Sequence, residues 1–298
     1  MKFTTASAVR VLVFPFLVNG LPSKRDGGIS DIQILNFALT LEHLENYFYR
    51  TRLEKYDQQA FLDAGYPEWT RGRFEQIAAH EKTHVEFISS AITAAGAKTV
   101  EPCEYDFPDD DVHSFIDISF ALESVGTSAY NGAAAFFTDK AYLTVAASIL
   151  GVEARQAAWI DSAVRKASPW NTAFETPLDM NQVFTMASAF IKSCPSSNPP
   201  LSVKAFPKLT VPPTASGARA KLEFEPSGDH KQVFAAFISG TGTIFTPVND
   251  KKEVVVPGGL IGLVFVVITS EDGKVADDTT VAGPAMVQFL FDSSGKVY

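Results

Sequence analysis

The sequence has no surplus of positive charge: 34 acidic residues face 25 lysines and arginines, a formal net charge of −9. That balance excludes a broad electrostatic grip on nucleic acid or anionic lipid, which needs clustered cations to displace counterions. Long apolar runs are lacking beyond residue 25. The longest, residues 260–268, is interrupted by Gly262 and flanked by turn residues, so no later segment reads as transmembrane. A hydrophobic C-terminal tail of the kind that precedes lipid anchoring is missing, as is any Asn-x-Ser/Thr acceptor for N-glycosylation. Cysteine is nearly absent. Cys103 and Cys194, both in polar, Pro-rich surroundings, are the only two.

What is present begins with an address. Lys2 and Arg10 precede the apolar run of residues 11–18, and Val18-Asn19-Gly20 supplies small residues for signal-peptidase cleavage after Gly20. Lys24-Arg25 is a dibasic pair of the kind cut by secretory processing proteases. Residues 1–25 therefore read as signal peptide and short propeptide, the mature chain as starting at Asp26, and the protein as secreted, extracellular or cell-wall-bound. In that oxidising setting Cys103 and Cys194 are expected to pair, with two free thiols as the alternative. Closing so long a loop contributes roughly 4 to 5 kcal/mol in the chain-entropy model.

With 46% hydrophobic and 20% charged residues, the chain can bury one large core or two ordinary ones. Ser30-Asp31-Ile32-Gln33 is a capping-box pattern, and Ile34, Phe37, Ala38, Leu41, Leu44 and Phe48 then recur at three and four, predicting a helix to about Arg52. A second helix is predicted over 69–95 and stopped by Gly96. Residues 98–111, with Pro102, Pro108 and three successive aspartates, predict a long crossover loop. Two central helices, 112–137 and 138–166, and a shorter one at 181–193 complete a helical bundle over 26–193. Tyr47, Phe48 and Phe87 read as core. Residues 194–217 form a Pro/Ser-rich linker. Short β-rich runs at 220–224, 232–238, 243–247, 253–256, 260–269 and 286–291 then predict an immunoglobulin-like β-sandwich over 218–298. The fold class is α+β multidomain.

Four helices each place a carboxylate in an apolar setting: Glu42, Glu81, Glu123 and Glu153. Ionised carboxylates cost several kcal/mol to bury unpaired, so four converging on a bundle interior need cations or protons between them. His84, three residues after Glu81, completes the Glu-x-x-His unit used by di-iron and di-manganese bundles.

The stretch from Asp31 to Tyr49, DIQILNFALTLEHLENYFY, resembles the opening signature of one ferritin-like family. That family includes plant desiccation-related proteins and fungal secreted proteins named for stress response or late sexual development. The resemblance continues through His80-Glu81-Lys82-Thr83-His84, the loop Cys103-Glu104-Tyr105-Asp106-Phe107-Pro108, Glu153-Ala154-Arg155 and Cys194-Pro195, and covers about residues 30 to 200. It implies a ferritin-like bundle in which Glu42 is a terminal ligand, with Tyr49 two turns on along the same stripe. Glu81 with His84, Glu123, and a bridging Glu153 complete the implied set. Gln156 stands where a second Glu-x-x-His would put histidine, and a neutral amide is a weaker ligand than imidazole. Glu45, one turn from Glu42, is a further oxygen donor or an ordinary ion-paired side chain.

Three functions compete. The first is a secreted ferritin-like protein binding iron or manganese, capable of oxygen or peroxide chemistry and tied to stress or sexual development by resemblance alone. The second is a non-catalytic structural protein of the cell surface, with a degenerate, metal-free site and a β domain that binds a wall component or another protein. The third is a zinc metallopeptidase, since His80-Glu81-x-x-His84 also fits that pattern, with Glu81 as general base. Val85-Glu86-Phe87-Ile88 lacks the longer third-histidine motif, and in a ferritin-like bundle His80 is merely a bundle or surface histidine.

Overall fold

The computed structural model describes residues 28–226 and 228–297. The expected signal peptide, dibasic site and Asp26 start lie outside the described residues.

Helix α1 (Asp31–Lys55) begins as its capping box dictates: the Ser30 hydroxyl accepts from the Gln33 backbone N–H, and the Gln33 side chain accepts from that of Ser30. A short α2 (Gln58–Asp63), capped by Asp57 and not predicted, leads to α3 (Trp69–Ala94). After the crossover come α4 (Val112–Ala133), capped by Asp111, and α5 (Lys140–Trp159), which runs on into a π-helical turn over Ile160–Val164. Helix α1 packs along α3, and α4 along α5. Phe48, Tyr49, Phe61, Phe74 and Phe115 are wholly buried and fill one end of the bundle with edge-on and stacked rings. Phe87 departs from its predicted core role, being 50% exposed on the outer face of α3.

Helix α6 (Met180–Ser188) ends five residues before its predicted limit at 193. The residues after it form β2 (Ile191–Ser193), antiparallel to β1 (Glu104–Tyr105) in the crossover. The cause is non-local. Cys103 and Cys194 form a disulfide with Cα atoms 4.2 Å apart, which aligns the two strands beside it.

The C-terminal region is rich in antiparallel strands. A four-stranded sheet has the order β10-β9-β6-β7, from β6 (Val233–Ser239), β7 (Gly242–Val248), β9 (Gly262–Thr269) and β10 (Thr280–Phe289). Two short ladders join β3 (Leu209–Thr210) to β5 (Glu223–Phe224), and β4 (Arg219–Lys221) to β8 (Glu253–Val255). Strand β10 starts at Thr280, ahead of the predicted 286, because register shifts around Gly283-Pro284 break the period-two pattern a sequence reading relies on. Leu209, within the predicted linker, is buried under the sheet.

Successive side chains in β6 and β9 point to opposite faces. Ala236, Ile238, Leu263, Phe265 and Val267 share a core with the bundle, whereas Ala235, Phe237, Val264, Val266 and Ile268 belong to a second core with the short ladders. Strand β9 is therefore buried along its whole length, which explains its nearly continuous apolar run. The sheet thus closes one side of the bundle.

Candidate metal centre

Helices α1, α3 and α5 bring Glu42, Glu81, His84 and Glu153 together, each offering one ligand atom within 4.8 Å of the others. Glu81 and His84 share a face of α3 because they are one turn apart. His84 Nδ1 lies 3.0 Å from Glu81 Oε2 and 3.2 Å from Glu42 Oε2. Glu42, Glu45, Glu81, Glu123 and Glu153 are all buried.

Neighbouring side chains satisfy only part of this group. Tyr130 donates to Glu42 Oε1, Tyr49 donates to Glu123 Oε1 at 2.6 Å, and the Gln156 amide donates to Glu81 Oε1 at 2.9 Å. Both oxygens of Glu153, Glu123 Oε2 and Gln156 Oε1 are buried and accept no hydrogen bond among the described residues. Leaving such acceptors unpaired is costly, so the arrangement calls for cations or protons. The donor set of several carboxylate oxygens and one imidazole nitrogen fits iron or manganese.

The electrostatics express the same crowding. Burial pushes the Glu42 carboxyl up to about 7; the charge of Glu81 adds to this, and bonds from His84 and Tyr130 oppose it. Burial, reinforced by neighbouring carboxylates, holds Glu45, Glu123 and Glu153 well above the usual carboxylate range. For His84, burial acts downward, yet hydrogen bonds and charge from Glu42 and Glu81 raise it to about 10.

Two residues absent from the sequence reading shape the centre. Tyr130 lies seven residues after Glu123 on α4, and Gly126 lies three after it, spacings that put both on the Glu123 face. A Cβ at Gly126 would fall 2.5 Å from Glu153 Oε2 and 3.2 Å from Glu45 Oε1, so glycine leaves the room these carboxylates occupy. His80 is exposed, with its Nδ1 3.4 Å from the Gln156 amide, and lies outside the convergent group. Glu81 sits among the convergent ligand atoms, whereas a zinc peptidase would need His80 as ligand and Glu81 free to act as base.

Residues 30–166 match the family model described as a ferritin-like domain. The chain is 26% identical over 179 residues to Protein rds1 of Schizosaccharomyces pombe, covering 60% of this chain but only 44% of that relative. A solved structure, that of the conserved hypothetical protein rv2844 from Mycobacterium tuberculosis, is 17% identical, covers 47% of this chain and 94% of its own, and has a TM-score of 0.39. Residues 30–166 thus carry a ferritin-like domain, and the similarity to Protein rds1 agrees with the resemblance of the first helix.

Proposed function

We propose that the chain is a secreted ferritin-like protein that binds iron or manganese through Glu42, Glu81, His84 and Glu153, with Glu123 and Glu45 as further oxygen donors. The observation that carries this reading is Glu153: both its carboxylate oxygens are buried and without a hydrogen-bond partner among the described residues. When bound, either metal supplies a change of oxidation state suited to oxygen or peroxide chemistry. The protein's part is to fix the ligands. Tyr49 orients Glu123, Tyr130 orients Glu42, and Gln156 holds Glu81 with its amide where a histidine ligand was expected. The rings of Phe48, Phe74 and Phe115 exclude water from the adjoining end of the bundle. A role in stress response or sexual development rests on family resemblance.

A structural, metal-free reading has its own support. The raised carboxyls can be neutralised by protons, and the Gln156 amide already satisfies part of Glu81. On that reading the C-terminal strands, viewed as an immunoglobulin-like sandwich of the sheet and the short ladders packed over its outer face, carry the interaction with a wall component or another protein.

Metal analysis of protein purified without added metal or chelator decides between the readings. Near-stoichiometric iron or manganese, lost in Glu81→Ala, is the expected result. Zinc with peptidase activity would move the assignment to the third function, and absence of metal to the structural one.

A further inference from the structure

We propose that the cavity between the bundle and the C-terminal sheet binds a fatty-acid-like amphiphile, an aliphatic chain ending in a carboxylate. The cavity has a volume of about 570 Å³, within the usual range for small-molecule sites. Its walls are mostly apolar, with Leu44 from α1, Val125 from α4, Met186 from α6, Phe206, and Met286 from β10. Flexible methionines on two sides suit an alkyl chain of variable shape.

Its two ends differ chemically. Glu45 and Gly126 line the buried end, and Gly126 is the residue that makes room for Glu153. Glu45 is 4% exposed. Lys208 is exposed and is the one cationic lining residue among the described residues, which places the mouth beside it. Lys208 attracts an anionic head, whereas the buried walls offer it no cation, so the carboxylate of the ligand sits at the mouth and its tail runs inward along the apolar lining. The inference stands on this cavity and holds whether or not metal is bound.

The test is a fluorescence titration of the full-length protein with cis-parinaric acid, before and after removal of metal by chelation, with metal content measured on the same samples. Saturable one-to-one binding is expected in both states, displaced by hexadecanoate much more readily than by hexadecylamine. Lys208→Glu should weaken binding of the acid roughly ten-fold, the equivalent of 1.4 kcal/mol, while displacement of the probe by hexadecanol relative to the acid improves. Ala121→Trp, which places a ring in the cavity from a half-buried position on α4, should abolish binding with the melting transition retained. Lack of saturable binding, or affinity for the acid untouched by Lys208→Glu, would overturn the proposal. A protein that binds the acid but holds no metal would leave it standing and remove only the metal reading.

Discussion

Gly126→Ala tests whether the carboxylates form a metal centre rather than a merely tolerated polar core. In a helix interior alanine is favoured over glycine by up to about 1 kcal/mol, so the backbone of α4 gains. The new methyl would lie 2.5 Å from Glu153 Oε2, about 0.9 Å short of ordinary contact at 3.4 Å. Glu153 is fully buried, and Glu45 also faces the added carbon at 3.2 Å, so the carboxylate must swing off its present position. Ligand sets tolerate displacements of only about 0.5 Å. The variant should therefore melt within about 1 kcal/mol of wild type when metal-free, since gain and strain oppose, while its metal affinity falls at least roughly ten-fold, the scale seen for disturbed ligand support. Elemental analysis and competition with a chromogenic chelator read the affinity, and thermal denaturation of the chelated protein reads the stability. Wild-type affinity in Gly126→Ala would refute the assignment of Glu153 as a ligand.

Metal-free protein should lose stability as pH rises. Glu42 goes from 4.5 in an unfolded chain to about 7 when folded, so its contribution of about 3 kcal/mol is complete below 4.5 and disappears as pH climbs through 7. His84 acts in the same sense between 6.5 and about 10. A falling melting temperature from pH 5 to 8, reversed by saturating Mn²⁺ because ligation favours the deprotonated carboxylates, is the expected profile; a flat metal-free profile contradicts it. Replacing both Cys103 and Cys194 by serine opens a loop with a sequence separation of 91 and should cost about 4 to 5 kcal/mol in urea denaturation, a loss below 1 kcal/mol arguing against the chain-entropy account. Asp109 is buried and receives Arg52 Nε at 2.6 Å, Tyr56 Oη at 2.8 Å and Lys55 Nζ at 3.1 Å. Asp109→Ala strands those donors and should cost about 3 kcal/mol in the same assay, with little change in metal content.

The parts of this molecule legible from sequence were those set by near neighbours along the chain. The capping box of α1 and its three-and-four spacing needed nothing beyond residues 30–55, and the β-rich run at 260–269 marked a strand, though not that both its faces are buried. The end of α6 was not legible, because what stops it is pairing with β1 across a disulfide from the other side of the bundle. The start of β10 was hidden by Gly283-Pro284, which reads as a breaker but is accommodated by shifts of register. At the centre, apolar helices bearing one acid each suggested convergence, yet His80-Glu81-x-x-His84 fits two chemistries equally well. Only neighbours from α1 and α5 distinguish them, and helical spacing within α3 carries no information about those. Tyr130 and Gly126 were visible in principle as same-face companions of Glu123, but a tyrosine and a glycine on an apolar helix look like packing until their contacts are known.

The double-sided interment of β9 has a practical corollary for anyone dissecting this protein. A version trimmed to its helices would strip a greasy lid from α4 and α6, baring them to aggregation, and would unroof the chamber beside Glu45. Deleting the strands is thus no clean way to learn what they alone do, since the same cut would open the buried carboxylates around Glu45 to solvent.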